Sequence, residues 1–146
     1  MSGTFINLTN HPSSLWSKEQ LDMARQYGDI IDMPFPIVDP DAGPAEIDMI
    51  ADACDEKIRA FEEPTALVQG ESTLAFDIVA RLNMEGIKTL AACSERQVVE
   101  SKSEDGTAIR KSVIFRFRRF REYILALERG RIRQKSGDWK MRKKSV

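Results

Sequence analysis

The chain is poor in the residues that build disulfide and metal sites. Its 146 residues include two cysteines and one histidine, too few for a disulfide framework or a zinc centre. It has no run of roughly 18 apolar residues that would predict a transmembrane helix. It also lacks the basic and apolar N-terminal regions of a secretory signal. We therefore expect a cytoplasmic protein with no metal site and no membrane contact.

Charge is distributed unevenly along the chain. Residues 1–109 carry 8 Lys and Arg against 20 Asp and Glu, a net charge of −12, and residues 110–146 carry 14 against 3, a net charge of +11. Such asymmetry is typical of a basic tail that binds nucleic acid, or of a solvated tail that complements its own acidic domain. We expect a single domain at 1–123 followed by a basic C-terminal extension at 124–146.

Hydrophobic periodicity predicts alternating strands and helices. Strands are expected at 4–9, 30–33, 65–68 and 87–92, and helices at 17–27, 44–62 and 73–85. The strand, helix and strand between 65 and 92 form a βαβ crossover, which requires parallel pairing. Residues 97–100 and 109–120 predict an antiparallel hairpin. The expected fold class is α/β, a Rossmann-like three-layer sandwich with a mostly parallel sheet and an appended antiparallel C-terminal hairpin.

Polar side chains follow three of the predicted strands. These segments are 10–16, 69–73 and 93–96. In open parallel sheets ligands bind beyond the carboxyl ends of the strands, so we expect the three segments to share one rim. The candidate ligand-binding residues are Asn10, Ser14, Trp16, Gln69, Gly70, Glu71, Ser72, Thr73 and Ser94. The candidate catalytic residues are His11, Ser13 and Arg96.

The turn at 69–73 has two interpretations. A glycine before a helix N-terminus lets the backbone approach an anion, which the free N–H groups would bind. Alternatively, Gly70 makes a tight turn and Glu71 or Ser72 caps the helix. The turn matches neither the G-x-G-x-x-G fingerprint nor a P-loop, so neither NAD nor a Walker-type ATP site is indicated, and no cofactor is expected.

Each of the other candidates also has a structural alternative. His11 would donate to a phosphate or act as an acid or base, or it would cap the loop before Pro12. Trp16 would stack on a nucleobase or act as a hydrophobic staple on the following helix. Arg96 would bind a phosphate or pair with Glu95.

The segment 115–121 interleaves phenylalanine with arginine. Strands that bind nucleic acid have this pattern because aromatic rings stack on bases while arginines pair with phosphates. A strand with a buried Phe face and a solvated Arg face has the same sequence. Cys93 is interpreted as a small buried side chain.

Three short segments resemble those of a known family. They are the strand end at 7–13, the turn at Gln69, Gly70 and Glu71, and the segment from Arg118 to Tyr123. They are similar to small proteins with CRISPR-associated Rossmann-fold (CARF) domains, the group that includes the stand-alone ring nucleases of type III systems. The resemblance covers residues 4–123, and no helical effector-nuclease domain follows within this sequence.

The resemblance implies a homodimer whose two rims meet over a cyclic oligoadenylate. Cleavage in such ring nucleases needs no metal, because a ribose 2′-hydroxyl attacks the adjacent phosphate. In this hypothesis the turn at 70–73 holds a phosphate, and Ser13 and Ser14 add hydroxyl contacts. His11 and Arg96 stabilise the charge on phosphorus, and Trp16 packs on adenine.

Two other functions are kept as alternatives. The first is a nucleoside or nucleotide glycosyl transferase or hydrolase, with Glu71 as nucleophile or base. The second is a non-catalytic module whose basic extension contacts nucleic acid. The sequence leaves open the ring size and the base of the ligand, the geometry of the dimer, and whether binding leads to cleavage.

Overall fold

The computed structural model describes residues 3–126. A short 3-10 helix, Ser13–Leu15, precedes the first α-helix. The elements, in chain order, are β1 (Thr4–Leu8), α1 (Lys18–Arg25), β2 (Asp29–Asp32), α2 (Pro44–Arg59), β3 (Pro64–Val68), α3 (Ser72–Met84), β4 (Lys88–Lys102) and β5 (Ile109–Glu122).

Helix boundaries follow the capping residues in the sequence. Ser17 precedes α1, and its side chain accepts a hydrogen bond of 3.2 Å from the backbone N–H of Gln20, as expected of a serine N-cap. Pro44 opens α2, where its missing N–H is not needed. Gly86 follows α3 with φ of 80°, a conformation that glycine adopts at low cost. The predicted starts at 17 and 44 and the predicted end at 85 are confirmed to within one residue.

The strands form one five-stranded sheet in the order β2-β1-β3-β4-β5. The first three pairings are parallel, and β4 and β5 are antiparallel. The predicted α/β class, with a mostly parallel sheet and an antiparallel C-terminal pair, is confirmed.

The sheet is covered on both faces by apolar packing. Side chains alternate along a strand, so in β1 Phe5 points to one face while Ile6 and Leu8 point to the other. The face of Phe5 is covered by α1 through Ala24. The opposite face is covered by α2 and α3, whose packed side chains include Ala51, Cys54, Ile58, Leu74, Ile78, Val79 and Leu82.

The predicted loop at 93–96 is wrong, because β4 continues through it to Lys102. The polar residues Ser94, Glu95 and Arg96 are paired in register with β5. Their backbone hydrogen bonds are therefore made with a strand far along the chain, which local composition does not show. Ser94 and Arg96 accordingly belong to the sheet and not to a flexible rim loop.

A β-bulge sets which aromatic side chains of β5 are buried. Ala92 pairs with Phe120 and Ser94 pairs with Phe117, so Arg118 is the additional residue on β5. Phe117 and Phe120 thus share one face although they are three residues apart, and they are 7% and 6% exposed. Phe115, two residues earlier, is 69% exposed. The interpretation of 115–121 as a strand with a buried Phe face therefore holds for two of its three phenylalanines.

Beyond the parallel sheet, β4 and β5 form a two-stranded arm. β3 pairs with β4 over Lys88, Thr89 and Leu90, whereas the pairing with β5 continues to Lys102. We call residues 94–102 and 109–117 the arm. Because side chains alternate in register, Ser94, Arg96 and Phe115 share the face of the arm that carries Phe117.

Among residues 3–126, no helix is long and apolar enough to cross a membrane. The basic extension lies outside the described residues from position 127 onward.

Two phenylalanines on one strand provide a matched test of this packing. Phe120→Ala is expected to lower the free energy of unfolding by about 3–5 kcal/mol, because it leaves a cavity beneath α1. Phe115→Ala is expected to change the free energy of unfolding of an isolated protomer by less than about 0.5 kcal/mol, since that ring is exposed there. Urea unfolding of both variants measures the difference, and equal losses would contradict the bulge geometry.

Candidate functional site

A cavity lies where the strand order changes direction. From β1 the chain continues to β2 on one side of β1, and it then returns to β3 on the other side, which opens a crevice at the carboxyl ends of β1 and β3. The cavity there has a volume of about 860 Å³. We call it the rim cavity. Its lining residues are Thr9, Asn10, His11, Leu15, Trp16, Ser17, Gln20, Leu67, Gln69, Gly70, Ala92, Ser94, Phe115 and Phe117.

The structure brings half of the candidate site residues to this cavity. Those that line it are Asn10, His11, Trp16, Gln69, Gly70 and Ser94. Those that do not are Ser13, Ser14, Glu71, Ser72, Thr73 and Arg96. The individual contacts of these side chains show what separates the two groups.

Asn7 fixes the path of the loop that follows β1. Its side chain is 1% exposed. Its Nδ2 donates to Oδ1 of Asp32 at 2.8 Å and to the carbonyl of His11 at 2.9 Å. Its Oδ1 accepts from Oγ1 of Thr9 at 2.8 Å. The backbone of residues 9–11 is therefore held by one buried amide.

Asp32 holds the same loop from the end of β2. Its carboxylate accepts hydrogen bonds from the backbone N–H of Ser13 at 3.2 Å and from the hydroxyl of Ser13 at 2.9 Å. Burial opposes ionisation of Asp32, but the hydrogen bonds from Asn7 and Ser13 outweigh it and lower the pKa of this carboxyl below its usual value. The Ser13 hydroxyl is thus used within the protein, and Ser14 is exposed outside the rim cavity.

The sequence reasoning missed Asn7 and Asp32 as site residues. The available signal was a polar residue inside an otherwise apolar strand, together with a carboxylate at the end of the next strand. Parallel pairing of β1 and β2 puts Asn7 opposite Asp32. A buried amide needs hydrogen-bond partners, and this pairing supplies one of them.

Trp16 belongs mainly to the core beneath α1. Its ring lies edge-on to that of Phe5, with 6.1 Å between centroids. Its Nε1 donates to the carbonyl of His11 at 3.1 Å. The observed burial favours the packing interpretation of Trp16, although part of the residue still lines the rim cavity. His11 is exposed at the cavity.

The two candidates at the end of β3 are both fixed by protein contacts. Gln69 extends the pairing of β3 with β4, because its Oε1 accepts from the N–H of Ala92 at 3.2 Å and its Nε2 lies 3.5 Å from the carbonyl of Ala92. A Cβ on Gly70 would lie 2.3 Å from the ring of Phe35. The glycine is therefore required by the close packing of Phe35.

Glu71 occupies the helix N-terminus that was predicted to bind a phosphate. Its carboxylate accepts from the backbone N–H groups of Thr73 at 3.1 Å and of Leu74 at 2.8 Å. Hydrogen bonds from Thr73 and from these N–H groups lower the pKa of Glu71. The structure thus shows the capping alternative, in which a carboxylate already satisfies these two donors, and phosphate binding at 70–73 stays a prediction. Ser72 and Thr73 lie outside the rim cavity.

Arg96 lies on the arm beside the rim cavity but is not among the residues that line it. It pairs in register with Phe115, which places it on the face that continues from Ser94. Glu95 forms its ion pair with Arg118, at 3.2 Å. Within residues 3–126, no ion pair is found for Arg96 itself. Its guanidinium is thus free to approach a ligand that extends from the cavity along the arm.

The rim cavity is polar but carries little charge. In the described part of the chain, its lining contains no Asp, Glu, Lys or Arg. Across residues 3–126, no group of three or more His, Cys, Asp or Glu side chains is arranged to hold a metal ion. Cys93 is half-buried. The cavity therefore offers amide, hydroxyl and imidazole groups beside aromatic rings.

A second cavity shares a wall with the first. It has a volume of about 380 Å³ and lies against α3, and we call it the α3 cavity. Gln69 and Gly70 line both cavities. Tyr123 lines the α3 cavity, and its hydroxyl donates to the carbonyl of Val68 at 2.9 Å. The turn after β3 thus separates two spaces on the surface.

Comparison with known proteins identifies one family. Residues 3–121 match the family described as the uncharacterized protein MJ1673 family. This range includes all the residues that line the rim cavity. No curated protein and no solved structure matches the chain.

Asp32 gives a pH-dependent test of the loop network. A carboxyl whose pKa is lower in the folded state stabilises the fold above its unfolded pKa of about 4, and this contribution is lost as the pH falls through the lowered pKa. Asp32→Asn is expected to reduce the free energy of unfolding at about pH 7, and the difference from the parent protein should shrink at about pH 2.5. Urea unfolding at both pH values measures this change.

The matched control is Asp29→Asn, at the other end of β2. The Asp29 side chain makes no hydrogen bond or ion pair among the described residues, so little change is expected at either pH. A loss for Asp32→Asn that is the same at both pH values, or that Asp29→Asn reproduces, would contradict the network.

Proposed function

Given that the chain belongs to the uncharacterized MJ1673 family, we propose from its site that it binds a cyclic oligoadenylate as a homodimer. The observation that carries this proposal is the rim cavity, which joins hydrogen-bonding side chains to aromatic rings at the switch point of the sheet. Nucleotides need both kinds of group. The strand order, with helices on both faces, also supports a Rossmann-like three-layer sandwich.

The aromatic lining suits adenine. Trp16 and Phe117 present parts of mostly buried rings, and Phe115 presents an exposed ring on the arm. A base can stack on the exposed ring of Phe115, whereas Trp16 and Phe117 contribute apolar surface at the cavity wall. Asn10 and Ser94 are exposed at the same cavity, where an amide and a hydroxyl would bind base edges or ribose oxygens. The site therefore offers both stacking and hydrogen bonding to a nucleotide.

Cavity size supports two protomers per ring. A volume of about 860 Å³ falls in the range of roughly 300–1,000 Å³ that holds one drug-sized ligand. A ring of four nucleotides is larger than this, so each protomer would hold part of the ring. Two rims that face each other would enclose it.

The arm supplies a surface that would be covered in such a dimer. Val98, Val113 and Ile109 are 54%, 45% and 62% exposed, and they share the face of Phe115 by register. A two-stranded ribbon has little stability of its own in water. Its apolar face borders the rim cavity, so contact with a second protomer would bury the ribbon and close the site together.

Cleavage of the ring would follow from attack within the ligand. A ribose 2′-oxygen forms a bond to the adjacent phosphorus, and the bond to the 5′-oxygen breaks. The products are a 2′,3′-cyclic phosphate and a 5′-hydroxyl, so one proton moves from the 2′-oxygen to the 5′-oxygen. His11 would stabilise the phosphorane and protonate the leaving oxygen, and Arg96 would offset its negative charge. Ser13 is tied to Asp32 and is left out of this step.

The alternative of a nucleoside enzyme is weakened by the position of Glu71. Its carboxylate caps α3 and lies outside the rim cavity. A nucleophile or base must reach the substrate, and this one is already engaged by two backbone N–H groups. Binding of nucleic acid by the basic extension concerns residues outside the described range and stays a prediction.

Ligand binding is tested by titration calorimetry with cyclic tetra-adenylate in EDTA. We expect one ring to bind per two chains. Ser94→Trp should reduce the affinity at least tenfold, equivalent to about 1.4 kcal/mol, because the indole would fill the rim cavity. Ser112→Trp, on the neighbouring strand and the opposite face of the arm, should bind like the parent protein. No heat from the parent protein would overturn the tetra-adenylate assignment.

Cleavage is tested by chromatography of the same mixtures over time. Linear products formed in EDTA are expected, and His11→Ala should slow their formation about 100-fold while leaving the stoichiometry of binding unchanged. A ring that stays intact with the parent protein would limit the function to binding. Unchanged cleavage by His11→Ala would remove His11 from the mechanism.

A further inference from the structure

Two neighbouring cavities on α3 share one exposed phenylalanine. Phe76, which is 71% exposed, lines the α3 cavity. Phe76 also lines a third cavity of about 430 Å³. We call the two cavities together the α3 groove. Its lining residues are Gln69, Gly70, Ser72, Ala75, Phe76, Val79, Tyr123 and Leu125 on one side, and Ala42, Gly43, Pro44, Ile47, Thr73, Asp77 and Ala80 on the other.

The border of this groove is acidic. Residues 39–48, which include the lining residues at 42, 43, 44 and 47, contain four Asp and Glu and no Lys or Arg. Arg81 contacts three of the carboxylates around the groove, those of Asp48, Asp52 and Asp77. One cation thus faces three anions, and a net negative charge remains. A basic partner would complement it.

The same chain carries a segment of the opposite charge. Residues 127–146 contain eight Lys and Arg against two Asp and Glu, a net charge of +6. They also contain Ile132, Trp139 and Met141. The basic residues of this segment match the acidic border of the α3 groove. Its large apolar residues match the apolar lining around the exposed Phe76.

The point of attachment favours this segment over a separate molecule. The described chain ends at residue 126, directly after Leu125, which lines the groove. Twenty further residues reach up to about 70 Å when extended. Covalent attachment keeps them near the groove at an effective concentration on the order of millimolar, which a partner in solution would rarely reach.

We propose that residues 127–146 dock in the α3 groove of their own chain. Their apolar side chains cover Phe76, and their lysines and arginines face the acidic residues of α2 and of the loop before it. The C-terminal segment thereby lies across the Gln69 and Gly70 turn from the rim cavity. The proposal stands whether or not the rim cavity binds a cyclic oligoadenylate.

Limited trypsin digestion of the full chain tests this docking. Trypsin cleaves after Lys and Arg, so mass spectrometry of the released C-terminal peptides reports how accessible residues 127–146 are. Phe76→Ser should accelerate their release severalfold, because it removes the apolar centre of the groove. Asp41→Asn combined with Glu46→Gln should do the same by lowering the negative charge. Neither set of changes creates a new trypsin site.

Two matched controls separate docking from general effects. Met84→Ser alters an exposed apolar residue of α3 outside the groove, and Glu19→Gln with Glu104→Gln removes two charges elsewhere. Both should release the C-terminal peptides at the parent rate, and the parent rate should not change on dilution. Equal rates in all variants would overturn the proposal. So would protection that is lost on dilution, or that appears on adding a single-stranded oligonucleotide, since the segment would then dock on another molecule.

Discussion

The geometry of the rim depends on how one buried amide is satisfied. Asn7 lies near the carboxyl end of β1, where its side chain is buried, so its hydrogen bonds must be made within the protein. Two of them go to Asp32 and to the carbonyl of His11, which ties the loop after β1 to the end of β2. The positions of His11 and Trp16 follow from this tie, because the His11 carbonyl also accepts from the Trp16 indole.

Local patterns predicted the helices and the parallel strands well, because their apolar residues recur at the spacing of each element. In α3 the apolar residues at helical spacing are all buried, namely Leu74, Ile78, Val79 and Leu82. The extent of β4 escaped prediction for a physical reason. Ser94, Glu95 and Arg96 are typical of a loop, but β5 supplies their pairing partners from about 20 residues away. The bulge at Arg118 depends on the same distant pairing.

The place of the site was predictable, but the roles of its residues were less so. Topology brings the ends of β1 and β3 together whatever side chains they carry. The role of each polar side chain depends on its hydrogen-bond partner. The sequence shows which side chains can form hydrogen bonds but not which groups they bond to. The side chains of Ser13, Gln69 and Glu71 all form hydrogen bonds within the protein. Their partners are, in that order, a carboxylate, a backbone carbonyl and a backbone N–H group. Asn7 and Asp32 were not predicted because their effect on the site is indirect. They hold the loop that follows β1.

The turn after β3 separates the rim cavity from the α3 cavity. Gln69 is bound to β4, and Gly70 is pressed against Phe35, so the turn has little room to adjust. A substitution there changes the shape of both cavities that it faces. Natural selection that changes the rim cavity is therefore expected to change the surface of α3 as well, so that the two surfaces diverge together among homologues.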